Sequence, residues 1–250
     1  MGMDRMFFRE KFITECDSTN KYIRQMMSVD KQKISSLVRA GYQINGKGQS
    51  DNYWESEESK NLLFSFSMFP NELKAYNQFY ISAIVALSLL ELLNKYIPEE
   101  KIKIKWPNDI YVNKQKIAGI LIENAVNGDY IESSIIGIGL NVNQINFSES
   151  IPNPVSLAII CGKDFDLQAL LNDYKMIFAK SFRSLNDFQY SNIKSHYLSN
   201  LFQIDQEHQY KVNNNICNGI IRGVDDHGFL KMEIDKEVRS FDIKDVVYLF

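Results

Sequence analysis

Lys105-Trp106-Pro107-Asn108-Asp109, followed after a short gap by Lys116-Ile117-Ala118-Gly119-Ile120-Leu121, is the stretch whose reading decides the fold. Residues 101–105 alternate Lys with Ile102 and Ile104, the period of a strand, and Pro107 stops that strand by removing a backbone donor. The apolar runs 110–112, 117–124 and 134–138 then read as successive strands of one sheet, with 113–115 as a hairpin turn. Asn108 and Asp109 present an amide and a carboxylate side by side, and Lys116 opens the strand across the hairpin, so both can face one cavity. A carboxylate is a hard ligand suited to magnesium, and magnesium accompanies ATP. Taken singly, Lys105 and Lys116 read equally well as solvated strand-end lysines.

Working outward, residues 7–14 predict a short strand. Asp17 and Ser18 form a polar stop that caps a helix over 19–27, leaving backbone amides for a ligand. Strands are expected at 37–42 and 62–68, separated by a long polar loop over 46–58, and a long helix at 73–96 ended by Pro98. Helical spacing returns at 167–182 and 186–199. Beyond a boundary at 201–205 the chain alternates again at 210–212, 216–224, 229–234 and 238–241, joined by turn residues, which predicts a small barrel. The expected architecture is α+β, with domains at 1–201 and 202–250.

Two further clusters carry chemistry. In Gly46-Lys47-Gly48-Gln49 two glycines around a lysine let amides and an ammonium approach phosphate, although Ser50 and Asp51 exclude both common nucleotide-loop patterns and a mobile surface loop reads equally well. Gly137-Ile138-Gly139-Leu140-Asn141 ends a strand with small residues that permit close backbone approach, followed by an amide able to bond a base or ribose. Trp54 is a stacking candidate or a core residue. His196, His208 and His227 read as surface histidines, and no nucleophilic triad stands out.

Composition bounds the rest. The 250 residues carry 45% hydrophobic and 24% charged side chains with a formal net charge of -3, a folded chain without the broad positive field that nucleic acid requires. Cys16, Cys161 and Cys217 have neither paired metal spacing nor an even count, which fits a reducing cytoplasm. Residues 1–11 have no export-signal pattern, and the most apolar stretch, 79–93, reads as a buried helix rather than a membrane span.

Asp17-Ser18-Thr19-Asn20, Gln43 with Gly46-Lys47-Gly48, Trp54, Lys105-Trp106-Pro107-Asn108-Asp109, Lys116-Ile117-Ala118-Gly119 and Gly137-Ile138-Gly139-Leu140-Asn141, in that order, resemble the biotin protein ligase family over essentially the whole chain. The resemblance implies a class II synthetase-like catalytic domain, a mixed sheet flanked by helices, with an SH3-like C-terminal barrel. It implies ATP-dependent formation of biotinyl-AMP and transfer of biotin to a lysine of a biotin carboxyl carrier protein. Ser18, Thr19, Asn20 and Gln43 would hold the ureido ring, and Gly46, Lys47, Gly48 and Gln49 would close over the adenylate. Lys116, beside Gly119, would meet the biotin carboxylate. Trp54, Lys105, Asn108 and Asn141 fall at the nucleotide, and Asp109 at metal and phosphate, with Lys47, Lys116 and Asp109 as the catalytic set.

Two departures bear on this expectation. The family's loop is typically GRGRxGR; here Lys47 and Gln49 stand for its first two arginines and Asp51 and Asn52 for its last glycine and arginine, which predicts looser hold on the adenylate. The motifs also begin at Asp17, leaving no room for the DNA-binding domain that some members carry, so a ligase without repressor activity is expected. A lipoate or octanoate ligase shares the chemistry, but an aliphatic chain would leave Ser18, Thr19, Asn20 and Gln43 unpaired, and an Arg-Arg-x-x-Gly-Gly loop is missing. A carrier-binding module without turnover is the rival outside catalysis. The acceptor's identity and dimerisation stay open, an exposed sheet edge being able to pair with either an acceptor or a second copy.

Overall fold

The computed structural model describes residues 8–29, 33–49, 52–70 and 72–249. Phe7, at the expected start of the first strand, and Ser50 and Asp51 of the glycine loop lie outside the described residues. Seven strands, β1 (Arg9–Cys16), β2 (Ser36–Gln43), β3 (Leu62–Met68), β4 (Ile102–Lys105), β5 (Asp109–Val112), β6 (Gln115–Asn127) and β7 (Tyr130–Leu140), form one mixed sheet in the order β1-β2-β3-β7-β6-β5-β4. The β1–β2 pair is parallel and the other pairs are antiparallel. The hairpin expected at 113–115 joins β5 to β6, with Asn113 in the left-handed region that such a turn demands.

Strand alternation gives the sheet two different faces. On β3, Leu62, Phe64, Phe66 and Met68 point into the main core, where Ile136 and Ile138 of β7 and Ala118 and Ile120 of β6 join them. Helices α2 (Phe79–Leu93) and α4 (Leu167–Asn186) cover that face, with Phe66 packed edge-on against Phe178 of α4 at 5.4 Å or less from its aromatic neighbours Phe8 and Phe178. Twelve of the fifteen residues of α2 are buried, so its all-round apolar composition reflects a helix enclosed by protein. The segment Ala75–Leu93 is long and apolar enough to cross a membrane by length and composition, but 67% of its most apolar window lies inside the fold. The opposite sheet face is covered in part by α1 (Thr19–Val29), whose Ile23 packs on Val38 and Ile135. Around Gly119, Gly137 and Gly139 this second face lines a cavity.

Several sequence expectations need correction. The helix expected at 73–96 is shorter: Lys74 is extended, and Leu73 and Ala75 hydrogen-bond to Ile131 and Asp129 of the β6–β7 hairpin, so α2 begins only at Phe79. A tertiary pairing has overridden a helical pattern. The helix expected at 186–199 starts at Tyr190 as α5 (Tyr190–Ser199); α4 runs through Asn186, and Phe188 adopts a left-handed conformation that ends helical continuity. Asp166 caps α4 by accepting from Gln168 and Ala169 N–H. The short α3 (Leu157–Cys161), capped by Ser156, has too few residues for a helical period to register.

The C-terminal strands β8 (Glu207–Val212), β9 (Asn215–Val224), β10 (Leu230–Ile234), β11 (Glu237–Phe241) and β12 (Val246–Tyr248) form a second, antiparallel sheet in the order β11-β10-β9-β8-β12. The first four fall at the expected strand segments; β12, three residues long, does not have a legible pattern. The two sheets share one packed core through Phe202, Tyr210, Ile221 and Tyr248. Polar links join them too: Ile104 O accepts from Phe202 N, and Trp106 Nε1 donates to Gly228 O at 2.9 Å. Gly228 has φ +94°, and a Cβ there would press 3.3 Å from Phe79 at the start of α2.

Tyr174 of α4 is buried against Phe64, and its hydroxyl has no hydrogen-bond partner among the described residues. A buried, unpaired hydroxyl costs free energy that phenylalanine avoids, so Tyr174→Phe is expected to leave stability unchanged or raise it by about 1–2 kcal/mol in denaturant unfolding. A clear loss of stability would show that the hydroxyl is satisfied.

Candidate active site

Register builds the cavity floor. Lys105 of β4 pairs with Asp109 of β5, Asp109 with Gly119 of β6, Gly119 with Gly139 of β7, and Gly139 with Leu63 of β3, a single row across five strands. Two residues further along, on the same face, Leu121, Gly137 and Ser65 form a second row. One end of the first row is therefore charged, and its centre is bare backbone.

Close packing requires these glycines. A Cβ at Gly119 or Gly139 would sit 2.8 Å or 2.4 Å from the indole of Trp54, and one at Gly137 would sit 2.2 Å from Asn20 Oδ1. The Trp54 ring lies against the Gly119–Gly139 pair, with Lys116 Nζ 5.5 Å from a ring centroid. Its Nε1 is buried with no acceptor among the described residues. The loop carrying it is closed by a Lys47–Tyr53 bridge and by Gly48 N donating to Asn52 O.

The cavity, about 500 Å³, has a polar end at the start of α1. Ser18 O accepts the first helical bond from Tyr22 N. Gln43 Oε1 at the end of β2 accepts from both the N–H (2.8 Å) and the hydroxyl (2.9 Å) of Thr19. Ser65 Oγ donates to Asn20 Oδ1 at 2.6 Å and lies 2.6 Å from Thr19 Oγ1, while Asn20 Nδ2 donates to Glu123 Oε2 at 2.9 Å. All of Ser18, Thr19, Asn20 and Gln43 are buried.

The other end is cationic. Lys116 Nζ lies 2.6 Å from Asp109 Oδ1, and Lys105 Nζ lies 4.0 Å from Oδ2. Lys105 also sits over the rings of Tyr248 (4.5 Å) and Tyr111 (5.4 Å). Burial pushes the Lys105 ammonium below the ordinary lysine pKa; Asp109 opposes this shift and Lys116 adds to it. Burial, then Asp109, raises the Tyr111 phenol well above its usual range, so it stays a neutral donor. Asn108 Nδ2 donates to Ile120 O at 2.7 Å, fixing the turn after Pro107 to β6.

The structure thus gathers Ser18, Thr19, Asn20, Gln43, Lys47, Gly48, Gln49, Trp54, Lys105, Asn108, Asp109, Lys116 and Gly119 on one cavity. Two expected residues are not on its lining. Gly46 lets the loop close, because a Cβ there would meet Trp54 O at 2.5 Å. Asn141 is buried behind the site and donates to Val155 O; with Lys116 N bonded to Asn153 O, it ties the 153–155 segment to the sheet. Sequence reasoning missed Ser65, Glu123, Tyr111 and Tyr248. A serine at full burial within apolar β3 was the available signal for Ser65, whereas Tyr248 belongs to a strand with no legible pattern.

Asp109 is the one acidic residue on the described lining, and no group of three or more His, Cys, Asp or Glu side chains is placed to hold a metal among the described residues. Among the described residues the lining thus offers a cation a single carboxylate, Asp109, whose Oδ1 already lies 2.6 Å from Lys116 Nζ. Chemically, the cavity suits a ligand with a hydrogen-bonding head and an anionic tail beside a phosphate-bearing group.

The family model described as the biotin/lipoate A/B protein ligase family matches residues 12–141. Over 214 residues the chain is 27% identical to the bifunctional ligase/repressor BirA of Bacillus subtilis, covering 84% of this chain but only 65% of that protein's length. It is 26% identical over 201 residues to the biotin–[acetyl-CoA-carboxylase] ligase of Paracoccus denitrificans, covering 78% of this chain and 83% of the relative. Among solved structures, the biotin protein ligase of Aquifex aeolicus in complex with biotin and ATP superposes with a TM-score of 0.79 at 24% identity, covering 96% and 98% of the two chains.

Of the two tryptophans, Trp106 is 2% exposed in the core and Trp54 lies on the glycine pair. Gly139→Ala is expected to displace the Trp54 ring, giving a red-shifted emission component with greater acrylamide quenching while Trp106 stays protected. Emission identical to the parent protein would mean the indole does not rest on Gly139.

Proposed function

The chain belongs to the biotin/lipoate A/B protein ligase family, and from that premise we propose that it is a biotin protein ligase. It would join biotin to ATP, forming biotinyl-5'-AMP and pyrophosphate, and then pass biotin to a lysine of a biotin carboxyl carrier protein or domain. The observation that carries this reading is one cavity with a hydrogen-bonding wall at Ser18, Thr19 and Gln43 and a lysine pair at Lys105 and Lys116. A ureido ring fits the first end and a carboxylate the second. The same proposal divides the chain into a catalytic domain at 1–201 and a C-terminal domain at 202–250, and places its work in the cytoplasm.

The reaction requires little acid–base chemistry from the protein. The biotin carboxylate attacks the α-phosphorus of ATP as pyrophosphate departs; the protein brings two anions together and offsets their charge. Lys116, held by Asp109 over the face of Trp54, is placed to take the biotin carboxylate, and Lys47 to reach phosphate oxygens from the glycine loop. Magnesium bound with ATP would supply further charge neutralisation, with Asp109 as the carboxylate that the described lining offers it. In the second step the neutral acceptor amine attacks the anhydride carbonyl and AMP leaves. Low solvent access around Lys105 and Asp109 strengthens the electrostatic terms. Asn108 and Gly46 serve the geometry of the turn and loop.

Exchange of labelled pyrophosphate into ATP tests the reading. It is expected with biotin and magnesium and not with lipoate or octanoate, and Lys116→Ala should lower it on the order of a hundredfold. Exchange with lipoate or octanoate alone would move the protein to the sister activity, and no exchange would remove the ligase reading.

Gln49 on the loop lacks the bidentate cationic contact that arginine makes to phosphate. Gln49→Arg is therefore expected to retain preformed biotinyl-AMP longer, with release about tenfold slower in the absence of acceptor. Equal release rates from both proteins would show that this position does not hold the adenylate.

A further inference from the structure

Glu123 of β6 lies beyond the cavity lining, yet it terminates the hydrogen-bond chain behind the polar end. Its Oε2 accepts from Asn20 Nδ2 at 2.9 Å, and its other oxygen pairs with Arg24 one turn along α1. A carboxylate only accepts, so it dictates which way the Asn20 amide faces. Asn20 Nδ2 turns to Glu123 and to Leu121 O (3.5 Å), and Oδ1 turns inward over Gly137.

That orientation propagates. Oδ1 can only accept, so the single Ser65 proton, 2.6 Å away, is committed to it. The single Thr19 hydroxyl proton then has two protein acceptors within reach, Ser65 Oγ at 2.6 Å and Gln43 Oε1 at 2.9 Å, and Thr19 meets a ligand with lone pairs. Gln43 Oε1 is further held by Thr19 N–H at 2.8 Å, leaving Nε2 as the end of that amide free to donate. The wall therefore presents an acceptor beside a donor.

We propose that Glu123 is a positioning residue that sets the polarity of this wall, through Asn20, Ser65, Thr19 and Gln43, for a ligand edge carrying an N–H beside a carbonyl, as a cyclic urea does. The assignment rests on the biotin ligase reading and adds to it the residue that decides which hydrogen bonds the ring meets. An apolar residue at 123 leaves the Asn20 amide free to reverse, and the donor–acceptor pattern is lost; glutamine can still turn its oxygen to Asn20 and partly keep it. Arg24 is paired with the carboxylate but is not part of the chain leading to the ligand.

The test is a comparison of Glu123→Leu, Glu123→Gln and Arg24→Gln in the full chain, with calorimetric biotin binding and steady-state exchange. Glu123→Leu is expected to raise both Kd and KM for biotin about tenfold, with kcat and the KM for ATP changed less than about twofold. Glu123→Gln should recover most of the affinity, and Arg24→Gln should bind biotin as the parent does. Parent-like biotin affinity in Glu123→Leu overturns the inference alone. Equal losses for biotin and ATP, tracking a fall in melting temperature, assign Glu123 to fold stability and overturn it too. Absence of biotin binding in the unaltered protein overturns the ligase reading and this inference with it.

Discussion

The register of β6 between β5 and β7 is the constraint on which the site depends. Pairing Gly119 with Asp109 on one side and Gly139 on the other puts a carboxylate beside a strip of uncovered backbone. Because strand side chains alternate, a slip of β6 by one residue would exchange its Gly119 face for the face that carries Ala118 and Ile120. Those two residues belong to the core under α2 and α4, so a slipped β6 would turn Ala118 and Ile120 out of the core and Gly119 into it, and Asp109 of β5 would lose its glycine partner. Hydrophobic burial on one face thus holds the geometry of the other.

This coupling explains why the part of the fold that lines the cavity was legible. The alternation in 101–124 and 134–138 carries both the strand assignments and the face on which Lys105, Asp109 and Gly119 stand; Lys116, three residues before Gly119, reaches that face only because the β5–β6 pairing shifts register between Ile110 and Tyr111, setting Tyr111 opposite Lys116. At Ser18 and Thr19 the polar stop marked the helix start, but the Thr19 amide expected to stay open to a ligand donates to Gln43 Oε1 at 2.8 Å. What resisted was tertiary. Lys74 is extended because the distant β6–β7 hairpin claims its neighbours, and Tyr248 reaches Lys105 from a three-residue strand whose place is set by pairing with β8. No local spacing encodes either.

Asn141 illustrates a different limit. Its motif, Gly137 to Asn141, has the composition of a ligand-approach strand, and Gly139 does lie against Trp54. Yet Asn141 follows the point where β7 ends, and its amide is directed to Val155, away from the cavity lining. The glycines and the asparagine share a sequence motif while serving different tasks: Gly139 makes room for an aromatic ring, Gly137 for the Asn20 amide, and Asn141 secures the 153–155 segment that bonds to Lys116.

The charged end shows why such a site costs the fold something. Lys105 and Lys116 converge on one carboxylate, two cations for one anion, and burial already disfavours the Lys105 ammonium. Without a further anion the arrangement is under-neutralised, and the aromatic faces of Tyr111, Tyr248 and Trp54 offset only part of the deficit. On the proposed reading, an anionic ligand would offset the charge that Lys105 and Lys116 concentrate on one carboxylate, a charge placed by the pairing of β4, β5 and β6.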